Sequence, residues 1–139
     1  MSSAEPTPGH LVWRLAMKWR TAVDRALAPL GLTHAQYVVL SSLLALDRPS
    51  QRELADHAGL EALYVSKLAR SLEASGFISR TRDAVDTRTV RLTLTPHGLS
   101  TVEPAVELVR SLLDRLLEPL GDRTGALSRD LTALLAVPL

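Results

Sequence analysis

The side chains best suited to binding chemistry lie on one face of a helix near the middle of the chain. An inward stripe at helical spacing is formed by Val65, Leu68, Ala69 and Leu72. The opposite face then carries Leu63, Lys67 and Arg70, flanked by Tyr64, Ser66 and Ser71. Cationic and hydroxyl side chains can contact phosphates and base edges in the major groove of DNA. Such a face is also typical of a solvent-exposed helix, and Leu63 fits neither interpretation unless it packs on a thymine methyl or on another part of the protein.

A second concentration of charge lies between residues 79 and 91. Four arginines against two aspartates leave a net charge of +2 there, namely Arg80, Arg82, Arg88 and Arg91 against Asp83 and Asp86. An arginine at the tip of a hairpin can enter a narrow minor groove, where the potential is most negative. The alternative is that Asp86 and Arg88 pair with each other in solvent, which stabilises little.

Catalytic and metal-binding patterns are absent from the sequence. The four histidines, His10, His34, His57 and His97, are scattered, and no two stand at metal-ligand spacing on a helix. The chain has no cysteine, which excludes disulfides, thiolate nucleophiles and cysteine zinc sites. No phosphate loop, Gly-x-Gly-x-x-Gly or Gly-x-Ser-x-Gly motif occurs. We therefore expect no catalytic residue, no metal and no cofactor.

Four helices are predicted ahead of residue 76 to position these side chains. Apolar residues recur at helical steps, and Thr33 with Gln36 and Ser50 with Glu53 have the spacing of capping boxes. The predicted helices end near residue 31, cover about 33–46, run from 50 to near 59, and span about 61–74.

The turn between the third and fourth helices predicts a helix-turn-helix. That motif needs a small residue where the helices cross, a flexible residue in the turn and a branched apolar anchor on the second helix. Ala55, Gly59 and Val65 supply them in this order. The alternative for this pattern alone is an ordinary helical hairpin.

The C-terminal half begins with a predicted β-hairpin of residues 77–82 and 90–95 around a polar tip. Pro96 suits the first turn of a following helix, within which Pro104 predicts a bend or a later start. A coiled-coil-like seam is formed by Val102, Val106, Val109, Leu113, Leu116 and Leu120. A short terminal helix is predicted around residues 127–135.

Composition agrees with one mainly helical domain. Leucine and alanine supply 28 and 17 of the 139 residues, against 11 valines and 1 isoleucine, which excludes a mainly β fold. No apolar run reaches the roughly 18 residues of a membrane helix, and residues 1–10 lack a secretion signal, so a soluble cytoplasmic protein without membrane contact is expected. The net charge of +1 conceals a division: residues 1–47 sum to +1, 48–98 to +2 and 99–139 to −2.

Three runs of the sequence resemble the MarR family of bacterial winged helix-turn-helix transcriptional regulators. Residues 86–98, from Asp86-Thr87-Arg88 through Leu94-Thr95 to Gly98, resemble the family's wing signature. Residues 50–55, Ser-Gln-Arg-Glu-Leu-Ala, resemble its first motif helix, and residues 72–78, Leu-Glu-Ala-Ser-Gly-Phe-Ile, the boundary before the wing. The chain departs from the family at Leu63 and Tyr64, where small hydroxyl residues are usual.

The resemblance implies roles for individual positions. The DNA-binding residues it implies, together with the cations of the helix face and hairpin, are Ser50, Gln51, Tyr64, Ser66, Lys67, Arg70, Arg82 and Arg88. Arg88 corresponds to an arginine that enters the minor groove, and Asp86 to the aspartate that supports it. The implied domain plan is a single MarR-type unit with dimerisation helices over 10–46 and 96–136 and a DNA-binding lobe over 47–95.

The expected function is that of a homodimeric regulator, a repressor, that binds a pseudo-palindromic site in double-stranded DNA. The alternative is a winged helix that binds protein instead. A small aromatic effector is also considered, with a candidate pocket of His10, Trp13, Arg14 and Met17 on the first helix. The favoured alternative is that those four residues pack against the dimer partner.

Overall fold

The computed structural model describes residues 4–139 as a helical chain with one hairpin. The helices are α1 (Pro8–Leu27), α2 (His34–Ala45), α3 (Gln51–Ala58), α4 (Ala62–Ala74), α5 (Pro96–Leu117) and α6 (Thr124–Leu135). The strands are β1 (Ile78–Arg82) and β2 (Val90–Leu94), and short 3-10 helices Ala28–Leu30 and Glu118–Arg123 follow α1 and α5. This order confirms the predicted mainly helical class with a hairpin wing.

Side-chain caps start the helices where their sequences predict. At α2 the capping box is complete: Thr33 Oγ1 accepts from the Gln36 N–H at 3.1 Å, and Gln36 Oε1 accepts from the Thr33 N–H at 3.0 Å. At α3, Ser50 Oγ accepts from the Glu53 N–H at 3.0 Å. These bonds satisfy backbone donors that the first helical turn leaves without partners.

Of the two outcomes predicted at Pro104, a bend or a later start of the fifth helix, the later start is wrong. Helix α5 begins at Pro96, with Thr95 Oγ1 accepting from the Gly98 N–H at 3.0 Å, and continues through Pro104. A proline inside a helix removes one backbone hydrogen bond. The turns on either side bury Val102 and Ala105 completely, so core packing holds the helix together across that position.

Helix α2 is the centre of the core, because it packs against α1, α3, α4, α5 and β2. Fully buried side chains come from five of these elements, namely Leu27, Leu40, Leu54, Leu72 and Leu92. Burying one such leucine contributes about 1.5–3 kcal/mol relative to leaving it in water. The core therefore fixes α3 and α4 against both the hairpin and the long helices.

The hairpin is attached directly to the loop that precedes α3. Its antiparallel register pairs Ile78 with Leu94 and Arg82 with Val90. The Leu92 N–H donates to the Pro49 carbonyl at 2.9 Å, and Ser50 forms an isolated bridge with Arg91. The wing is thus tied to the start of the helix-turn-helix.

Apolar side chains are exposed along α1, α5 and α6. They include Leu11, Trp13, Leu15 and Met17 on α1, Leu113 on α5, and Leu131, Leu134 and Leu135 on α6. Across residues 4–139, none of the helices taken singly is both long and apolar enough to span a membrane. Residues Pro8–Leu30 and α2 meet that criterion only together, as a pair bent by 78°.

Candidate nucleic-acid interface

The turn between α3 and α4 has the geometry that its sequence predicts. Ala55 of α3 is 3% exposed, and Val65 of α4 is fully buried in the core. Gly59 closes α3 with φ 70° and ψ 30°, a left-handed conformation that favours glycine. The Gly59 and Leu60 N–H groups both donate to the Ala55 carbonyl, which makes the turn tight.

The outer face of α4 carries the predicted cations into solvent. Leu63, Lys67 and Arg70 are exposed, and none of the ion pairs formed within residues 4–139 involves either cation. Ser66 is half-buried. The Lys67 and Arg70 charges are therefore available to an anionic partner.

Tyr64, in the exposed first turn of α4, also borders a cavity that the sequence did not predict. Although 42% exposed, it lines a cavity of about 420 Å³ between α4 and the first two helices, with Arg20, Asp24 and His34. The Trp19 ring lies edge-on to His34 with centroids 6.5 Å apart. Burial is the main cause that lowers the pKa of His34, and it outweighs the opposing charge of Asp24.

A groove separates the wing from the first turns of α3 and α4. Its walls are Ser50, Gln51, Arg52, Ala62, Asp86, Arg88, Thr89 and Val90, around a volume of about 520 Å³. Ser50 is only 8% exposed because its hydroxyl caps α3. Gln51 Oε1 is buried without a hydrogen-bond partner among the described residues. The structure thus brings Ser50, Gln51 and Arg88 together, although Ser50 offers little surface.

Arg52 is a cation of this groove that the sequence reasoning missed. It is exposed in the first turn of α3, beside Gln51. Its position directly after Ser50 and Gln51, which were already assigned to DNA binding, was a signal that could have identified it. The free N–H groups of that helical turn favour an anion at the same place.

The wing tip exposes the Arg88 side chain to solvent, while hydrogen bonds hold the backbone of the tip in place. The Arg88 side chain is 92% exposed, and its Nε lies 3.3 Å from Asp86 Oδ1. Asp86 also accepts from the Arg88 N–H at 3.1 Å and from the Thr89 hydroxyl at 3.2 Å. Arg82 Nη1 donates to the Thr87 carbonyl at 2.7 Å. Asp86 and Arg82 therefore order the tip from which Arg88 projects.

Two of the four hairpin arginines, Arg80 and Arg91, form ion pairs that connect the wing to the helices. Arg80 pairs with Glu73 of α4 at 3.1 Å. Arg91 lies 3.1 Å from Asp83 through Nε and 3.0 Å from Glu53 through Nη1. Both of these side chains position the wing, which leaves Arg82 and Arg88 as its outward cations.

Arg91 joins three segments, and the sequence reasoning assigned it no such role. Besides its two carboxylates it donates to the Arg48 carbonyl at 3.3 Å, where the chain takes a positive φ of 44°. The pKa of Asp83 lies below its usual value, mainly because the Asp86 N–H donates to it and then because of Arg91. The pKa of Glu53 is also lowered, mainly by hydrogen bonds from Ser50. Both carboxylates therefore stay ionised beside Arg91.

Replacing Arg91 with alanine should weaken DNA binding several-fold without changing its salt dependence. The variant frees the wing from α3, but it removes a charge that Asp83 and Glu53 already neutralise, so no phosphate contact is lost. Arg91→Lys should bind DNA more tightly than Arg91→Ala but more weakly than the wild type, because the lysine ammonium cannot reproduce the planar, forked guanidinium of arginine. Titrations of duplex DNA at several salt concentrations measure both quantities. We expect Arg88→Ala to lower the slope of log K against log salt. An equally large fall for Arg91→Ala would contradict a role for Arg91 in positioning the wing.

The residues proposed from sequence as an effector pocket lie on the surface of α1 in the single chain. His10, Trp13, Arg14 and Met17 lie exposed on the N-terminal half of α1, and Trp13 is 65% exposed. In the described part of the chain, no three or more His, Asp or Glu side chains are placed to hold a metal ion.

Comparisons with known proteins agree on the family to which the chain is similar. The model of the MarR family matches residues 32–90. The chain is 34% identical over 115 residues to the uncharacterized HTH-type transcriptional regulator YdcH of Bacillus subtilis, covering 80% of this chain and 78% of that protein.

Two solved structures share the fold over nearly the whole chain. The transcriptional repressor CouR bound to a 23-mer DNA duplex has a TM-score of 0.84 and 29% identity, covering 98% of this chain and 100% of that one. The PcaV transcriptional regulator of Streptomyces coelicolor, in complex with its natural ligand, has a TM-score of 0.81 and 26% identity, covering 98% and 97%. The chain belongs to the MarR family of transcriptional regulators.

Proposed function

We propose that two copies of this chain bind a pseudo-palindromic DNA site and repress transcription there. The observation that carries the proposal is the groove where the first turns of α3 and α4 meet the exposed Arg88 of the wing, beside the free cations of α4. A helix for the major groove and an arginine for the minor groove are thereby held on one lobe. The DNA-bound repressor CouR, which shares the fold, supports this over a protein-binding winged helix.

The proposed function also bears on the chain's class and location. The relatives and structural neighbours are named as transcriptional regulators, which supports a regulator and not an enzyme. A repressor acts where the chromosome is, and we therefore place the protein in the cytoplasm.

We infer a homodimer from the apolar surface of the terminal helices. Residues 10–46 and 96–136 are proposed to pair two chains, and residues 47–95 to form the DNA-binding lobe. Leu134 is 65% and Leu135 87% exposed, which is unusual for neighbouring leucines on a monomer's surface. Pairing two chains would remove this surface from water.

The double substitution Leu134→Glu and Leu135→Glu should convert the dimer to a monomer and abolish tight binding to a two-half-site duplex. Burying four carboxylates in an apolar interface is unfavourable. Sedimentation at micromolar concentration measures the assembly state. Leu63→Glu is the matched control, since Leu63 is 84% exposed but lies outside the proposed interface, and it should remain dimeric. A monomeric wild type would refute the proposal.

An aromatic effector is proposed for the cavity that contains Tyr64. Arg20 can pair with a carboxylate, while Tyr64 and His34 supply flat surfaces for a ring. A ligand in this cavity would contact Tyr64 and thereby shift α4. The ligand-bound structure of PcaV supports a ligand-responsive regulator.

Benzoate and 4-hydroxybenzoate should release the protein from DNA, and Arg20→Ala should abolish the response. Arg14→Ala is the matched control on the same helix, because Arg14 belongs to the pocket proposed from sequence and lies outside the Tyr64 cavity. DNA binding is measured by fluorescence anisotropy with increasing acid at constant pH and salt. The reverse pattern, with only Arg14→Ala insensitive, would favour the sequence-based site.

A further inference from the structure

Leu63 is an apolar side chain with nothing to pack against in its own chain. It lies in the first turn of α4 and is 84% exposed. Of the two partners considered from sequence, a thymine methyl or another part of the protein, the second is therefore excluded within the described residues of this chain. The large exposed apolar residues of α1, α5 and α6 belong to the proposed dimer surface, whereas Leu63 shares its helix face with Lys67, one turn further on.

The chemistry of the leucine side chain restricts what it can recognise. It can neither donate nor accept a hydrogen bond, so it gains from contact only with another apolar group. At the base edges of the major groove, the apolar group is the 5-methyl of thymine. Lys67 on the same face would keep Leu63 within the same groove when it contacts a phosphate or a guanine.

We propose that Leu63 is a specificity residue that recognises the 5-methyl group of a thymine in each half-site. This inference rests on the proposed DNA binding and adds to it the base that one position selects. It also separates the roles of two neighbours on α4. Lys67 contributes through charge and Leu63 through the methyl contact.

The test uses a duplex selected from random DNA by the wild-type protein. Each thymine is replaced in turn, in both half-sites together, by deoxyuridine, which lacks the methyl group and keeps the hydrogen-bonding groups. Affinities are measured for the wild type, for Leu63→Ala and for Lys67→Ala. Because Leu63 is exposed, its truncation should not disturb the fold, and thermal melting checks this directly.

At one symmetric pair of thymines, deoxyuridine should weaken wild-type binding about fourfold per half-site, as expected for one buried methyl group. Leu63→Ala should show no such penalty at that pair, while Lys67→Ala should keep it and bind both duplexes more weakly. If wild type and Leu63→Ala respond alike at every thymine, the methyl contact is refuted while DNA binding stands. If no duplex is bound, the proposed function and this inference fail together.

Discussion

Replacing Arg88 with alanine should weaken DNA binding by about 1–3 kcal/mol per protomer and make it less sensitive to salt. The Arg88 side chain is 92% exposed, and within residues 4–139 its one polar partner is Asp86, so its loss leaves the fold intact. Each cation withdrawn from DNA lowers the slope of log K against log salt by about one, and therefore by about two for a dimer. Anisotropy titrations from low to moderate salt measure affinity and slope together.

Arg110→Ala is the matched control for Arg88→Ala. Arg110 is also an exposed arginine in a pair with a neighbouring carboxylate, Glu107 at 3.0 Å, but it lies on α5 outside the proposed DNA-binding lobe. Its removal should leave the salt slope unchanged. An unchanged slope for Arg88→Ala would show that the wing does not reach DNA.

Gly98→Ala should destabilise the protein strongly, because the backbone of Phe77, directly before β1, occupies the space where a β-carbon would lie. A Cβ at Gly98 would overlap the Phe77 carbonyl oxygen and stand 2.9 Å from the carbonyl carbon. These are backbone atoms, and the same oxygen accepts from the Thr95 N–H at 3.1 Å. Forcing them apart should cost about 3 kcal/mol, near the upper end of ordinary overpacking. Thermal unfolding should show a melting temperature lower by roughly 10 °C.

Gly9→Ala separates this close approach from the general effect of a glycine in a helix. Gly9 lies in the first turn of α1, as Gly98 lies in the first turn of α5, although His97 separates Gly98 from Pro96 whereas Gly9 directly follows Pro8. A Cβ at Gly9 meets nothing within 4 Å. Alanine at residue 9 should stabilise slightly, by up to about 1 kcal/mol. Equal melting temperatures for Gly98→Ala and the wild type would contradict the packing at the wing's base.

Features set by neighbouring residues could be predicted from the sequence. The Thr33 capping box and the left-handed Gly59 depend on hydrogen bonds or dihedral angles within a few residues, and the structure has both. Tertiary packing decided where prediction failed: α5 runs through Pro104 because the turns beside it are buried.

The features of the site that could not be predicted from the sequence are contacts between residues far apart in the chain. Arg91 contacts Glu53 and the Arg48 carbonyl across separations of 38 and 43 residues. The count of charges in the hairpin included Arg91 as an available cation, although Asp83 and Glu53 neutralise it in the structure. The cavity that Tyr64 shares with Arg20 and His34 likewise depends on how α4 packs near α1 and α2, which no local pattern on α4 encodes.

Selection of duplexes from random DNA, followed by titration of the enriched sequence at several salt concentrations, tests the central claim most directly. We predict an inverted repeat whose half-site centres lie about 10 base pairs apart, bound by one dimer. Its affinity should fall steeply with salt. Enrichment of no symmetric sequence, together with binding that is absent or insensitive to salt, would contradict the assignment as a DNA-binding repressor.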